Sequence, residues 1–157
     1  MLTEVISSHS VFRSGYAWAA RREFLDKTGG LFEAGVAGAG DHHMALALVG
    51  RVHESAPGEV HSKYLEALWQ WQEKALRACT GGLGYVNGSI LHSWHGSKRS
   101  RQYQSRWRIL TEQQFDPTRD IDKNVQGVWE LTGSKPALRE LLSNYLKSRN
   151  EDSRDVN

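Results

Sequence analysis

The strongest constraint on the fold is an amphipathic stretch in the middle of the chain, residues 60–80. Its apolar side chains recur three or four positions apart, which is the spacing of one helix face: Val60, Tyr64, Ala67, Leu68, Trp71 and Ala75. Trp69 widens this apolar face, Pro57-Gly58 precede the stretch, and Gly81-Gly82 end it. We therefore predict a long helix over 60–80.

Two more helices are predicted before this one. Residues 15–30, GYAWAARREFLDKTGG, place apolar side chains at helical spacing and end at a glycine pair. Trp18, Phe24 and Leu25 are expected in the core. Asp41 follows a glycine-rich turn and precedes the helix-favouring residues 44–49, so it is a candidate helix cap.

After residue 80 the pattern predicts a mixture of strands, turns and helices. Residues 83–86 and 89–94 are expected to form a hairpin across Asn87-Gly88, a favoured two-residue turn. Asp116-Pro117 is predicted as a turn and Asp120-Ile121-Asp122 as a loop. Two further helices are expected, one over 101–114 with Tyr103, Trp107 and Leu110 on one face, and one starting at Pro136 with Leu138, Leu141, Leu142 and Tyr145 packed inward.

The predicted fold class is therefore α/β (α+β), mostly helical with a small mixed sheet. At 157 residues the chain fits one domain, assigned to 1–148, followed by a polar tail over 149–157 that is expected to fray. Lys and Arg total 20 against 18 Asp and Glu, so net charge does not decide for or against nucleic acid. The positive charge is local, in a basic segment without acids: Lys98, Arg99, Arg101, Arg106 and Arg108.

Cysteine usage and apolar content exclude several classes of protein. Cys79 is the single cysteine, which excludes an internal disulfide and a thiolate zinc site, and we interpret it as a small buried thiol on a helix. The N-terminus lacks a signal-peptide pattern, and no apolar stretch approaches the roughly 20 residues that span a bilayer. A soluble protein of a reducing compartment, the cytoplasm, is expected.

The first block with chemical potential is GAGDHH, residues 38–43. Its glycines allow close approach of the backbone to a ligand, and Asp41 could accept a proton from a hydroxyl. The alternative is that Asp41 only caps a helix. His42 and His43 are adjacent and point to different helix faces, so at most one is expected to serve the site. The block does not have the pattern expected of a core helix.

The second block is ILHSWHGSKR, residues 90–99. His92 and His95 are three apart, which allows both imidazoles to bind one divalent cation on a helix or turn, although one ligand is the safer expectation. The basic residues that follow could neutralise a diphosphate bound to the same cation. Taken singly, the histidines could be structural and the basic residues a solvated face.

Three parts of the chain, in this order, carry a resemblance: GYAWAARREFLDKTGGLFEAGVAGAGDHHMALAL, GYVNGSILHSWHGSKRSRQY and FDPTRDI. They resemble the C-terminal half of glycosyltransferases with the GT-A fold, particularly phage-type forms. The resemblance implies Asp41 as catalytic base and His92 or His95 as a ligand of manganese (or magnesium). It implies a donor diphosphate held by Lys98, Arg99 and Arg101, and an acceptor bound near Tyr16, Trp18, Gly40 and His42.

The chain departs from that family in one respect. Such enzymes carry an upstream nucleotide-binding half with an Asp-X-Asp motif, whereas about 14 residues precede Gly15 here and Glu4 is their sole acid. The resemblance therefore implies a split or shortened enzyme, with a separate nucleotide-binding chain or a homo-oligomer as partner.

Three functions remain open from the sequence. The first is metal-dependent transfer of a sugar from a nucleotide-sugar to a hydroxyl. The second is a non-catalytic protein of the same fold that binds a nucleotide or a host protein in the host cytoplasm. The third, least favoured, is nucleic-acid binding through Arg99, Arg101, Arg106 and Arg108 with Tyr103 and Trp107 as stacking rings.

Overall fold

The computed structural model describes residues 17–91, 97 and 99–151. Over these ranges the protein is a mixed α+β structure whose small sheet is two-stranded and antiparallel. None of the helices within them has the length and apolar character needed to cross a bilayer. The elements are α1 (Arg22–Thr28), α2 (Gly40–Leu48), the 3-10 turn Val52–Glu54, α3 (Ser62–Ala78), α4 (Trp107–Glu112), β1 (Ile121–Lys123), β2 (Trp129–Leu131) and α5 (Pro136–Ser148).

Helix α3 is the centre of the core, as its periodicity predicts. It buries Tyr64, Leu68, Trp71, Gln72 and Ala75 against α1, α2 and the 3-10 turn. Two polar atoms on this face have partners: Trp71 Nε1 donates to the Gly30 carbonyl (3.1 Å), and Gln72 Oε1 accepts from the Val52 N–H (2.9 Å). The face therefore buries polar groups without leaving them unsatisfied.

The residues around α3 depart from the pattern in small ways. Trp69, predicted to widen the apolar face, is 45% exposed and stacks on the ring of His53 (6.1 Å between centroids). Cys79, at the C-cap of α3, is half-buried rather than buried.

Helix α1 is shorter than predicted. Its C-terminal stop is confirmed, because Gly29 has the left-handed backbone of a helix cap (φ 79°). Its start is at Arg22, and residues 17–20 have no regular secondary structure. Trp18 is 49% exposed, so its assignment to the core is wrong, whereas Phe24 packs edge-on against Trp71. Helices gain most of their stability from packing, and the packed part of this segment begins near Phe24.

Helix α4 is also shorter than the helix predicted over 101–114. Non-glycine residues with positive φ, Gln102 (46°) and Gln114 (45°), interrupt the helical backbone on both sides of it. Leu110 is buried as expected and Trp107 is half-buried, but Tyr103 is 46% exposed and does not join the buried face.

The hairpin forms elsewhere than predicted. The segment assigned as a loop, Asp120-Ile121-Asp122, runs into β1, which pairs with β2 in the register Ile121 with Leu131. Asn124 initiates the turn because its side-chain oxygen accepts from the N–H groups of Gln126 and Val128 (3.0 Å each).

The segment predicted as a hairpin has no strand in its described part, residues 83–91. Tyr85, Val86 and Leu91 are at least 90% exposed. Strand propensity without a surface to pack against does not specify a strand.

Helix α5 begins at Pro136 as predicted, with proline at its first turn. It buries Leu138, Leu142 and Tyr145 and packs against α4, while Leu141 is left 37% exposed.

A buried carboxylate joins α5 to the sheet. The side chain of Asp120 is fully buried, and its oxygens accept from Lys135 Nζ (2.7 Å), the Asp116 N–H (2.8 Å) and Ser134 Oγ (3.0 Å). Burial raises the pKa of this carboxyl, but the hydrogen bonds and the charge of Lys135 outweigh that effect, so the pKa lies below its ordinary value. The ionised pair therefore contributes stability above the pKa of the unfolded chain and loses it as pH falls through the lowered one.

We predict that Asp120→Asn lowers the free energy of unfolding by about 3 kcal/mol at neutral pH, because it leaves the ammonium of Lys135 without its buried counter-charge. Urea unfolding followed by circular dichroism measures this change. Asp122→Asn, at an exposed carboxylate two residues away, is the matched control and should change stability by no more than about 0.5 kcal/mol. Equal effects at the two positions would contradict the anchoring role of Asp120.

Candidate active site

The first glycine-rich block forms a tight turn into α2. The Gly38 N–H donates to the Gly35 carbonyl (2.8 Å), and Gly38 and Ala39 both have positive φ (95° and 70°). A methyl group built on Gly38 would lie 2.7 Å from Nη1 of Arg106. Glycine is therefore required there both for backbone conformation and for the close approach of this guanidinium.

Asp41 does not cap α2. The helix begins one residue earlier, at Gly40, with Ala39 at the N-cap, because the two left-handed residues turn the chain before Asp41 is reached. Asp41 instead lies half-buried in the first helical turn.

His42 and Arg106 complete a group of ionisable side chains at this end of α2. Burial of the half-buried His42 imidazole lowers its pKa; the Asp41 carboxylate opposes that shift and the Arg106 guanidinium adds to it. Arg106 also lies over the ring of Tyr103 (5.2 Å to the centroid) and 3.5 Å from the hydroxyl of Tyr145. The fold thus brings the first block together with one arginine of the basic segment.

His43 lies in the core, contrary to the expectation that the first block has no core pattern. It is 1% exposed, and its ring nitrogens contact Ser55 Oγ (2.7 Å) and the Tyr64 hydroxyl (2.9 Å). Ser55 donates its single proton to the Val52 carbonyl (2.6 Å), so Ser55 Oγ accepts from Nδ1–H of His43. Nε2 is then unprotonated and accepts from the hydroxyl of Tyr64.

Aromatic rings surround this imidazole. The centroids of Phe32, Trp107 and Tyr64 lie 5.3, 5.6 and 5.8 Å from that of His43, all in edge-on geometry. Burial lowers the pKa of His43 to about 3, and the positive charges of His42 and Arg106 act in the same direction. The ring is therefore neutral at every pH near neutrality.

The role of His43 has a weak signal in the sequence. His43 and Ala47 lie four residues apart on the buried face of α2, the spacing of side chains that share one helix face. The expectation that His42 and His43 point to different faces is confirmed, since His42 is half-buried at the charged group and His43 is in the core.

Arg106 is not among the predicted phosphate-binding residues, which are Lys98, Arg99 and Arg101. The guanidinium of Arg101 contacts the hydroxyl of Tyr103 (3.2 Å) and the carboxylate of Glu151 (3.0 Å). Arg99 is exposed, and Lys98 lies outside the described residues. The contact of Arg101 with Glu151 joins residues 50 positions apart, so it could not be predicted from sequence spacing.

The predicted metal ligands His92 and His95 and the predicted acceptor residue Tyr16 also lie outside the described residues. Within 17–91, 97 and 99–151 there is no group of three or more His, Cys, Asp or Glu side chains that could hold a metal ion. Trp18, assigned to the acceptor, is half-exposed. The described residues alone therefore do not supply a manganese site.

A shallow groove of about 400 Å³ runs along α5, beside Lys135, Arg139, Ser143 and Lys147. It contains none of the residues predicted for the site.

No known family model matches the chain, and neither the curated proteins nor the solved structures contain a match to it.

We predict that burial of neutral His43 makes stability fall as the pH is lowered. The unfolded chain binds a proton at pKa 6.5 that the folded chain binds only near pH 3, so acidification between these values favours unfolding. In His43→Gln the slope of unfolding free energy against pH should be smaller by about 1.4 kcal/mol per pH unit in that window. Urea unfolding at several pH values measures both slopes.

Tyr64→Phe provides the matched control, because it removes one partner of the imidazole without removing the titrating group. This variant should lose about 1–3 kcal/mol at pH 7 and keep the slope of the unaltered chain. A slope in His43→Gln equal to that of the unaltered chain would show that His43 does not titrate on unfolding.

Proposed function

We propose that the chain is the acceptor-side part of a glycosyltransferase, in which Asp41 is the base that activates a hydroxyl of the acceptor. The observation that supports this proposal best is the group at the start of α2: a half-buried carboxylate beside His42 and Arg106, directly after a tight glycine-rich turn. A half-buried carboxylate at that position can accept the proton of a substrate hydroxyl.

In the proposed reaction Asp41 takes the proton of the acceptor hydroxyl. The acceptor oxygen forms a bond to the anomeric carbon of the donor sugar, and the bond between that carbon and the diphosphate oxygen breaks. The nucleoside diphosphate leaves with the electron pair. Gly40, His42, Tyr16 and Trp18 are proposed to contact the acceptor, with Gly40 at the first position of α2.

A positive counter-charge for the leaving diphosphate is the second part of the proposal. Lys98 and Arg99 are proposed to hold the diphosphate, with manganese (or magnesium) bound by His92 or His95. Arg101 could contribute only by giving up its contact with Glu151. The described residues alone contain no group of three or more His, Cys, Asp or Glu side chains that could hold the ion. A separate nucleotide-binding chain or a second copy of this chain is proposed to complete the donor side.

Nucleic-acid binding is a second candidate because Tyr103 is exposed. The sequence places this ring on a buried helix face, but it is 46% exposed and carries the Arg106 guanidinium above it. An exposed ring with an adjacent cation can stack on a base. Trp107, the other candidate ring, packs against His43 and Tyr64 instead. Only one of the two rings is therefore accessible for stacking.

Calorimetric titration of the chain with a panel of nucleoside diphosphates, with and without manganese, tests the proposed transfer. We expect binding that manganese strengthens and that is unchanged in Asp41→Asn, since Asp41 is assigned to the acceptor. Transfer or hydrolysis of the cognate nucleotide-sugar, with the nucleotide-binding partner present, should fall about 10²- to 10⁴-fold in Asp41→Asn. Asp26→Asn, at an exposed carboxylate in α1, is the control and should keep full activity.

Each alternative outcome identifies another function. Failure of every nucleoside diphosphate to bind, with or without manganese, contradicts the proposal for this chain. Metal-dependent binding without turnover, or turnover that survives Asp41→Asn, favours a non-catalytic binding protein or a different base. Affinity for single-stranded DNA or RNA that falls steeply with salt favours nucleic-acid binding as the function.

A further inference from the structure

Two arginines converge on one carboxylate oxygen at the C-terminal end of α5. Nη2 of Arg101 and Nη2 of Arg149 lie 3.0 and 2.5 Å from Oε1 of Glu151. Arg101 and Glu151 are 50 residues apart in the sequence, whereas half of the ion pairs of the described residues join positions three or four apart. Glu151 contacts both Arg101 and Arg149, so two positive charges from separate segments of the chain lie close together.

The segment that carries Arg101 is held against α5 by bonds that do not involve Glu151. The Tyr145 hydroxyl donates to the Arg101 carbonyl (3.1 Å), and Gln102 Nε2 donates to Ser148 Oγ (3.2 Å). Tyr145 is a buried residue of α5, and Arg149 directly follows the helix. These bonds bring the backbone at Arg101 to the end of α5, where Arg149 lies, without a contribution from Glu151.

Two guanidinium groups that share one oxygen repel each other and require an anion between them. The side chains of Arg101 and Arg149 are only 17% and 26% exposed, so water screens that repulsion poorly. The carbonyl end of α5 compensates part of the charge. The Nε of Arg149 is buried and has no hydrogen-bond partner within the described residues. The contact with Oε1 of Glu151 therefore leaves the Nε–H of Arg149 without an acceptor within the described residues.

We propose that Arg101 and Arg149 form a binding site for a phosphate group, which Glu151 occupies in the free chain and leaves when the ligand binds. A phosphate presents three oxygens and up to two negative charges to donors that a single carboxylate oxygen satisfies only in part. Glu151 is 39% exposed and lies two residues beyond Arg149, so its side chain can turn into solvent without moving the helix.

The charge state of Glu151 agrees with this competition. Burial raises the pKa of its carboxyl, but the hydrogen bonds and charges of Arg101 and Arg149 lower the pKa by more. The pKa therefore lies below its ordinary value, and the group is ionised at neutral pH. An ionised internal carboxylate weakens the binding of any external anion at the same donors. The proposed site requires neither a metal nor Asp41, and it does not depend on the glycosyl transfer proposed above.

Calorimetry with inorganic phosphate and with pyrophosphate, in EDTA and at low ionic strength, tests the site on the full chain. Removal of the internal competitor in Glu151→Gln should tighten pyrophosphate binding at least 10-fold relative to the unaltered chain. Arg149→Gln in that background should abolish the gain. Glu112→Gln, which breaks the exposed pair with Arg108, should leave the affinity unchanged. A nucleoside diphosphate that binds no tighter than pyrophosphate identifies the phosphate as the recognised group.

The unaltered chain provides an independent readout should the variants fold poorly. Saturating pyrophosphate should shift the Nε–H nuclear magnetic resonance signal of Arg149 and release its contact with Glu151. Glu151→Gln that binds pyrophosphate no tighter than the unaltered chain, or an Arg149 signal that does not move, would overturn the proposal. In either case Glu151 is only a structural partner of the two arginines.

Discussion

A neutral imidazole in the core joins the elements on which the candidate site rests. His43 comes from α2, Tyr64 from α3 and Ser55 from the residue after the 3-10 turn, and their hydrogen bonds form one chain that ends at the Val52 carbonyl. Each member has one direction in which it can donate, so the loss of one partner leaves a buried polar atom unsatisfied. This chain of bonds ties α2 to α3 and to the 3-10 turn.

The position of α2 in turn sets the candidate site. Asp41 and His42 immediately precede His43, in the first turn of the same helix, so the bonds of His43 hold the backbone that carries them. Arg106 reaches the same end of α2, and its guanidinium occupies the space that a side chain at Gly38 would take. Trp107, the next residue, packs against the ring of His43. The buried imidazole and the charged group above it are therefore supported by the same contacts.

The sequence predicts the parts of the fold in which periodicity and terminal signals agree. Helices α3 and α5 are long, have one apolar face and are bounded by glycine or proline, and both form as predicted. The segments 17–20 and 83–91 have helix or strand propensity but few partners within the described chain, and they take neither form. Local propensity is a weak signal where packing is absent.

The same limit applies to the site. Asp41 and His42 are found from a local motif. The approach of Arg106 to Gly38 and of Arg101 to Glu151 depends on residues about 50 or more positions apart, and no local pattern encodes it. The burial of His43 is not predicted for another reason. A histidine is polar, and it can be buried here because Tyr64 and Ser55 form hydrogen bonds with both ring nitrogens.

The protonation state of His43 tests the central claim most directly. Long-range ¹H–¹⁵N spectra of the folded chain at pH 5 distinguish the two neutral tautomers of an imidazole from its charged form. We predict a neutral ring protonated on Nδ1, with Nε2 accepting from Tyr64. A doubly protonated ring at pH 5, or a neutral ring protonated on Nε2, would contradict the hydrogen-bond chain that joins α2 to α3.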